Sequence, residues 1–149
     1  MKPGAWLKAL AVVLALFAIG HTLGTAVPKV TRGAPEAALF QAMRTFTFPI
    51  MGFHRSYWDF YRGFAIDISL LLVVMTVVAW QLSAISTRDP RQALPMAITL
   101  QLGCLGILVL SVVFFFAGPV VMSAAAVLVS TVAVALLVRD ARGQHAPAD

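Results

Sequence analysis

The sequence predicts an all-α membrane fold, a four-helix bundle of transmembrane helices, and three observations carry that prediction. Of its 149 residues 60% are hydrophobic and only 11% charged, which gives a mean hydropathy of +0.90, a balance foreign to water-soluble domains of this size. Four apolar runs are each long enough to cross a hydrocarbon core about 30 Å thick, which takes about 20 helical residues. The charged residues gather between those runs and at their ends, as the cost of burying charge in lipid requires. The expected organisation is a single integral membrane domain over residues 1–149.

The first span is expected over about residues 6–27, apolar apart from Lys8, His21 and a few hydroxyls. A cleaved signal peptide competes with it, because Lys2 and Lys8 make a basic start and Gly24-Thr25-Ala26 offers small residues at a cleavage position. The apolar length exceeds the roughly 7–15 residues of a signal core. In addition, Gly20-His21-Thr22-Leu23-Gly24 is a G-x-x-x-G, which lets a neighbouring helix approach and has no purpose in a discarded peptide. Residues 28–53 form the long connection, punctuated by Pro28, Gly33, Pro35 and Pro49. Within it Pro35-Glu36 opens a short amphipathic helix running to about Phe46, with proline and an acid in its first turn. Ala38, Leu39, Ala42, Met43 and Phe46 are its expected apolar face, and the helix should lie on the membrane or cap the bundle.

The second span is expected over about residues 63–85, with Trp80 and Gln81 near the opposite face. Thr87-Arg88-Asp89-Pro90-Arg91 is a short charged turn, and the third span covers about 94–116. Ala117-Gly118-Pro119 reads as a tight reversal before the fourth span, about 120–138, whose Ser123, Ala126, Ser130 and Ala133 form a small-residue stripe suited to close packing. Cys104 is the only cysteine and lies in an apolar run, so it forms no intrachain disulfide and its expected role is packing. Four spans put both termini and the turn near residue 90 on one side, together with Lys2, Lys8, Arg88, Arg91, Arg139 and Arg142. Lys29, Arg32, Arg44, Arg55 and Arg62 are diluted through the connection on the other side. The positive-inside rule then expects both termini in the cytoplasm of a bacterial inner membrane.

That topology brings the most polar stretch, His54 to Asp67, to the outer face. No proline occurs from residue 51 to 89, so the stretch is read as helix, with Arg55, Asp59 and Arg62 sharing a face at i, i+4 and i+7. Ser56, Phe60, Gly63 and Asp67 fall on a neighbouring face, and Tyr57, Trp58 and Tyr61 are aromatics of the kind that gather at the membrane boundary. His21 and Asp67 each sit about four residues, roughly 6 Å, inside the outer boundary. Matched depth makes them the expected pair, since an ionisable group within a span usually finds a partner.

The binding candidates are therefore His21, Arg55, Tyr57, Trp58, Asp59, Tyr61 and Asp67, and the catalytic candidates are His21 with Asp59 or Asp67. Three readings follow: an outward-facing pocket for a lipid or other amphiphile, a small membrane enzyme using acid–base chemistry, or a structural subunit whose cluster only joins helices. Gly20-His21-Thr22, followed by Arg55-Ser56-Tyr57-Trp58-Asp59-Phe60-Tyr61-Arg62-Gly63-Phe64, resembles the pattern in a group of small bacterial four-span membrane proteins of unknown function. The resemblance covers mainly the first two spans and implies an architecture and a bacterial setting, with no activity attached.

The net charge of +5 is spread among apolar runs, with no basic helix face, so membrane lipids and a small amphiphile are the expected partners and nucleic acid is not. No metal-ligand pattern, phosphate loop or nucleophile motif occurs, and no cofactor is expected. His21 and His54 lie too near the boundary for a buried bis-histidine haem site. A channel or pump would need a series of ionisable residues along a span, which is lacking.

Overall fold

The computed structural model describes residues 2–26 and 30–143. The expectations for residues 27–29 and 144–149 lie outside the described residues. The elements are α1 (Pro3–Ala26), α2 (Ala34–Thr45), β1 (Thr47–Ile50), β2 (Phe53–Ser56), α3 (Tyr57–Arg88), α4 (Pro90–Phe114) and α5 (Ala117–Gly143). The helices α1, α3, α4 and α5 have 24, 32, 25 and 27 residues and are apolar enough to cross a membrane. At 1.5 Å per residue they reach about 36–48 Å. The contacts divide the chain into two compact units, Ile19–Leu71 and the remainder.

The larger unit is the four-helix bundle. Each helix buries a stripe at intervals of three and four residues: Leu7, Leu10 and Leu14 on α1, Leu72, Ala79 and Leu82 on α3, Ala93, Ala97 and Cys104 on α4, and Ser123, Ala126, Ser130 and Ala133 on α5. The α5 stripe is the one its sequence predicts. The other faces carry large exposed apolar side chains such as Val12, Leu102, Val109 and Leu128, as surfaces turned to lipid do. Because lipid tails are as apolar as leucine, helix association in a bilayer depends on close packing, which explains the share of Ala and Ser inside.

The buried serines do not need partners on other helices. Ser83 Oγ donates to the Trp80 carbonyl at 2.6 Å, Ser86 to Ser83 at 2.9 Å, Ser123 to Pro119 at 2.7 Å and Ser130 to Val127 at 3.0 Å. Gln101 Nε2 donates to Thr131 Oγ1 at 2.8 Å, a polar link between α4 and α5. Among the glycines, Gly4 marks a close helix crossing, where an added Cβ would lie 2.9 Å from the Ser83 carbonyl oxygen and 3.1 Å from Thr87 Cγ2.

Between α3 and α4 the turn is compact because Asp89 caps the second helix. Its Oδ1 accepts from the Arg91 and Gln92 amides at 3.0 and 3.1 Å, and Pro90 follows in the first helical position, where it has no amide to lose. The reversal expected at Ala117-Gly118-Pro119 falls instead at Phe115 and Phe116, and Ala117 already begins α5. Pro119 is tolerated there because the first amides of a helix have no intrahelical acceptor.

The smaller unit holds the end of α1, the start of α3, α2 and a β-hairpin. Met51 (φ 49°) and Gly52 (φ 85°) are both left-handed, as the turn of a two-residue hairpin requires. The register pairs Ile50 with Phe53, Pro49 with His54, Phe48 with Arg55 and Thr47 with Ser56. This corrects the expectation that His54, Arg55 and Ser56 are helical: they form β2, and α3 begins at Tyr57. Helix α2 spans nearly the predicted residues, with Glu36, Phe40 and, from the predicted apolar face, Met43 half-buried. Leu39 and Phe46, from the predicted face, are exposed.

Candidate functional site

The site grows from the junction of β2 and α3. Ser56, buried at the end of the strand, is the N-cap of α3, and Asp59 is the third residue of the helix. Ser56 Oγ accepts from the Asp59 amide at 3.2 Å while Asp59 Oδ2 accepts from the Ser56 amide at 2.8 Å and from its hydroxyl at 2.9 Å. This is a reciprocal capping box with aspartate in the place of the usual glutamate, and it occupies two orphan amides of the helix start. Asp59 takes its hydrogen bonds from Ser56, while the Arg55 and Arg62 charges act on it without a direct ion pair; among the described residues the one salt bridge joins Arg139 to Asp140.

Being on a strand, Arg55 takes no part in a helical i, i+4 pattern. Its Nη1 donates to the His54 carbonyl at 2.9 Å and its guanidinium lies 5.2 Å from the centre of the Phe53 ring. The arginine nevertheless reaches an open hollow of about 290 Å³ that it lines with Asp59, Phe60, Gly63, Phe64 and Asp67. The last four helical positions recur at i, i+3, i+4 and i+7, so one face of α3 makes the floor. Gly63 keeps it open, since an added Cβ would meet nothing within 4 Å. Asp67 is exposed and makes no hydrogen bond or ion pair among the described residues.

The boundary aromatics lie elsewhere. Trp58 receives the Arg44 guanidinium at 4.2 Å above its ring, the Phe40 edge at 5.7 Å and the stacked Tyr61 ring at 5.4 Å, so it fastens α2 to α3. Tyr57 stacks on Phe46 at 6.0 Å and leans on Phe48 at 5.0 Å. The rings that wall the hollow are Phe60 and Phe64.

His21 pairs with Ser69 and not with Asp67. Its Nδ1 is 3.0 Å from Ser69 Oγ, which also accepts from Thr22 Oγ1 at 3.0 Å and donates to the Ala65 carbonyl at 3.2 Å. Residues 67 and 69 differ by about 200° around a helix, so a histidine that meets one cannot meet the other. Gly20 and Gly24 are not the contact between the helices, because an added Cβ at either would meet nothing within 4 Å. Sequence reasoning missed Ser69, Phe40 and Arg44; only for Ser69 was there a signal, a hydroxyl at the depth of His21.

No group of three or more His, Cys, Asp or Glu side chains among the described residues is placed to hold a metal ion. Four long apolar helices make the chain a multi-pass membrane protein. Comparison with protein families, with curated proteins and with solved structures finds no match.

Proposed function

We propose that the protein belongs to the bacterial inner membrane, has both termini in the cytoplasm, and holds a phospholipid or similar amphiphile in the outward-facing hollow of α3. The observation that carries this is the composition of the hollow: Arg55, Asp59 and Asp67 supply polar groups beside the Phe60 and Phe64 rings. The apolar surface continues down the same helix face to exposed Leu71, one turn beyond Asp67. A polar rim that runs into an apolar track suits a molecule with a headgroup and a chain. The His21 cluster reads as a hydrogen-bonded junction of α1 and α3, and acid–base catalysis is the weaker reading because among the described residues no carboxylate hydrogen-bonds to that histidine.

Filling the hollow tests the proposal. Gly63→Phe places a ring in open space without striking the backbone, so the protein should fold and melt as before while the phospholipid copurified in mild detergent falls severalfold. Equal lipid content in wild type and variant rejects the site. Orientation has its own test: a reporter fused after Asp149 should be cytoplasmic and one inserted near Gly33 periplasmic, and termini on opposite sides would reject the topology.

A further inference from the structure

We infer that the hollow selects a headgroup bearing a primary ammonium next to a phosphate; this rests on the lipid-binding reading above. The hollow is lined by one guanidinium, Arg55, and two carboxylates, Asp59 and Asp67; the Arg55 and Arg62 charges both act on Asp59, which leaves Asp67 as the carboxylate without a counter-charge. A purely anionic headgroup would bring like charge to like charge. A neutral one would leave Asp67 without a partner at the edge of an apolar span, where an ionised group is costly. The two carboxylates are not equivalent. Asp59 Oδ2 is occupied by the Ser56 amide and hydroxyl, whereas Asp67 has no partner among the described residues.

Arg55 uses one N–H on the His54 carbonyl and keeps others for a ligand, in the planar arrangement that matches phosphate oxygens. An ammonium donates up to three hydrogen bonds and a quaternary amine donates none, so a carboxylate that lacks a donor favours the primary amine. Asp67 therefore takes the ammonium, Arg55 the phosphate, and Phe60 and Phe64 the start of the chain. A phosphoethanolamine headgroup has this chemistry, whether attached to a lipid or free in solution.

The test is competitive retention. Full-length protein is exchanged into nanodiscs with equal parts phosphatidylethanolamine, phosphatidylglycerol and phosphatidylcholine, extracted in mild detergent, and its bound lipid counted by native mass spectrometry. Phosphatidylethanolamine should be retained roughly tenfold over the others, in line with a charge-assisted hydrogen bond. Asp67→Asn, an isosteric change at an exposed position, should erase that preference, and Arg55→Gln should lower retention of all three. Free phosphoethanolamine that competes as well as the lipid would assign the ammonium–phosphate recognition to a soluble ligand; failure to compete at millimolar concentration assigns it to the lipid. Equal retention of the three headgroups, or a preference unchanged in Asp67→Asn, overturns the inference while lipid that Gly63→Phe still displaces preserves the underlying reading. No lipid sensitive to Gly63→Phe overturns both.

Discussion

Leu82→Ala should destabilise the bundle by roughly 2–5 kcal/mol, the range for deleting a buried leucine side chain, whereas Leu102→Ala should change stability by less than about 0.5 kcal/mol. The two residues have the same chemistry and lie in spans of similar apolarity, but Leu82 is 0% exposed and Leu102 is 62% exposed. In water both changes would lose transfer free energy in proportion to buried area. In lipid that term nearly vanishes, because acyl chains replace the lost methyl contacts at Leu102 and nothing replaces them at Leu82. Denaturation of the detergent-solubilised protein by increasing sodium dodecyl sulfate measures both. Equal loss at the two positions would show that the Leu102 face of α4 is itself packed against protein.

The spans were legible in the sequence because a membrane helix needs only length and apolarity, and the α5 stripe was legible because Ser123, Ala126, Ser130 and Ala133 keep strict helical spacing. The hairpin was not. Met51-Gly52 lacks the Asn-Gly or Asp-Gly signature of such turns, and a proline-free run from residue 51 reads as helix as easily as strand. The same blind spot hid the capping box: Ser56-x-x-Asp59 is a helix-start pattern, but it was placed inside a helix that in fact begins after it. His21 shows a different limit. Depth in the bilayer is one coordinate, fixed by counting residues, and angle around α3 is another that counting from an uncertain boundary does not fix. Asp67 and Ser69 are almost equal in the first and nearly opposite in the second. The glycines carry a similar lesson, since G-x-x-x-G permits close approach at Gly20 and Gly24 while the close crossing among them is at Gly4, where Ser83 and Thr87 stand opposite.

Trp58→Ala should release α2 from the start of α3 without melting the bundle. Helix α2 buries no residue fully, so few contacts hold it, and two of them converge on Trp58: the Arg44 guanidinium at 4.2 Å and the Phe40 edge at 5.7 Å; Tyr61, stacked on the same ring at 5.4 Å, belongs to α3 itself. A cation over an indole contributes about 0.5–2 kcal/mol and an aromatic pair about 0.5–1.5 kcal/mol, so losing the Arg44 and Phe40 contacts should lower the local opening free energy of α2 by roughly 1–3.5 kcal/mol. Hydrogen exchange at the amides of α2 should then accelerate by one to three orders of magnitude, with exchange in α4 and α5 unchanged. Trp58→Phe, which keeps a smaller ring, should give an intermediate rate, and Arg44→Gln should remove only the cationic share. The same variants separate anchor from ligand wall. Because Phe60 and Phe64 line the hollow and Trp58 faces α2, lipid retention in Trp58→Ala should match wild type even as α2 opens. Lipid lost while α2 stays protected would place Trp58 in the binding site and overturn its role as the fastening of α2.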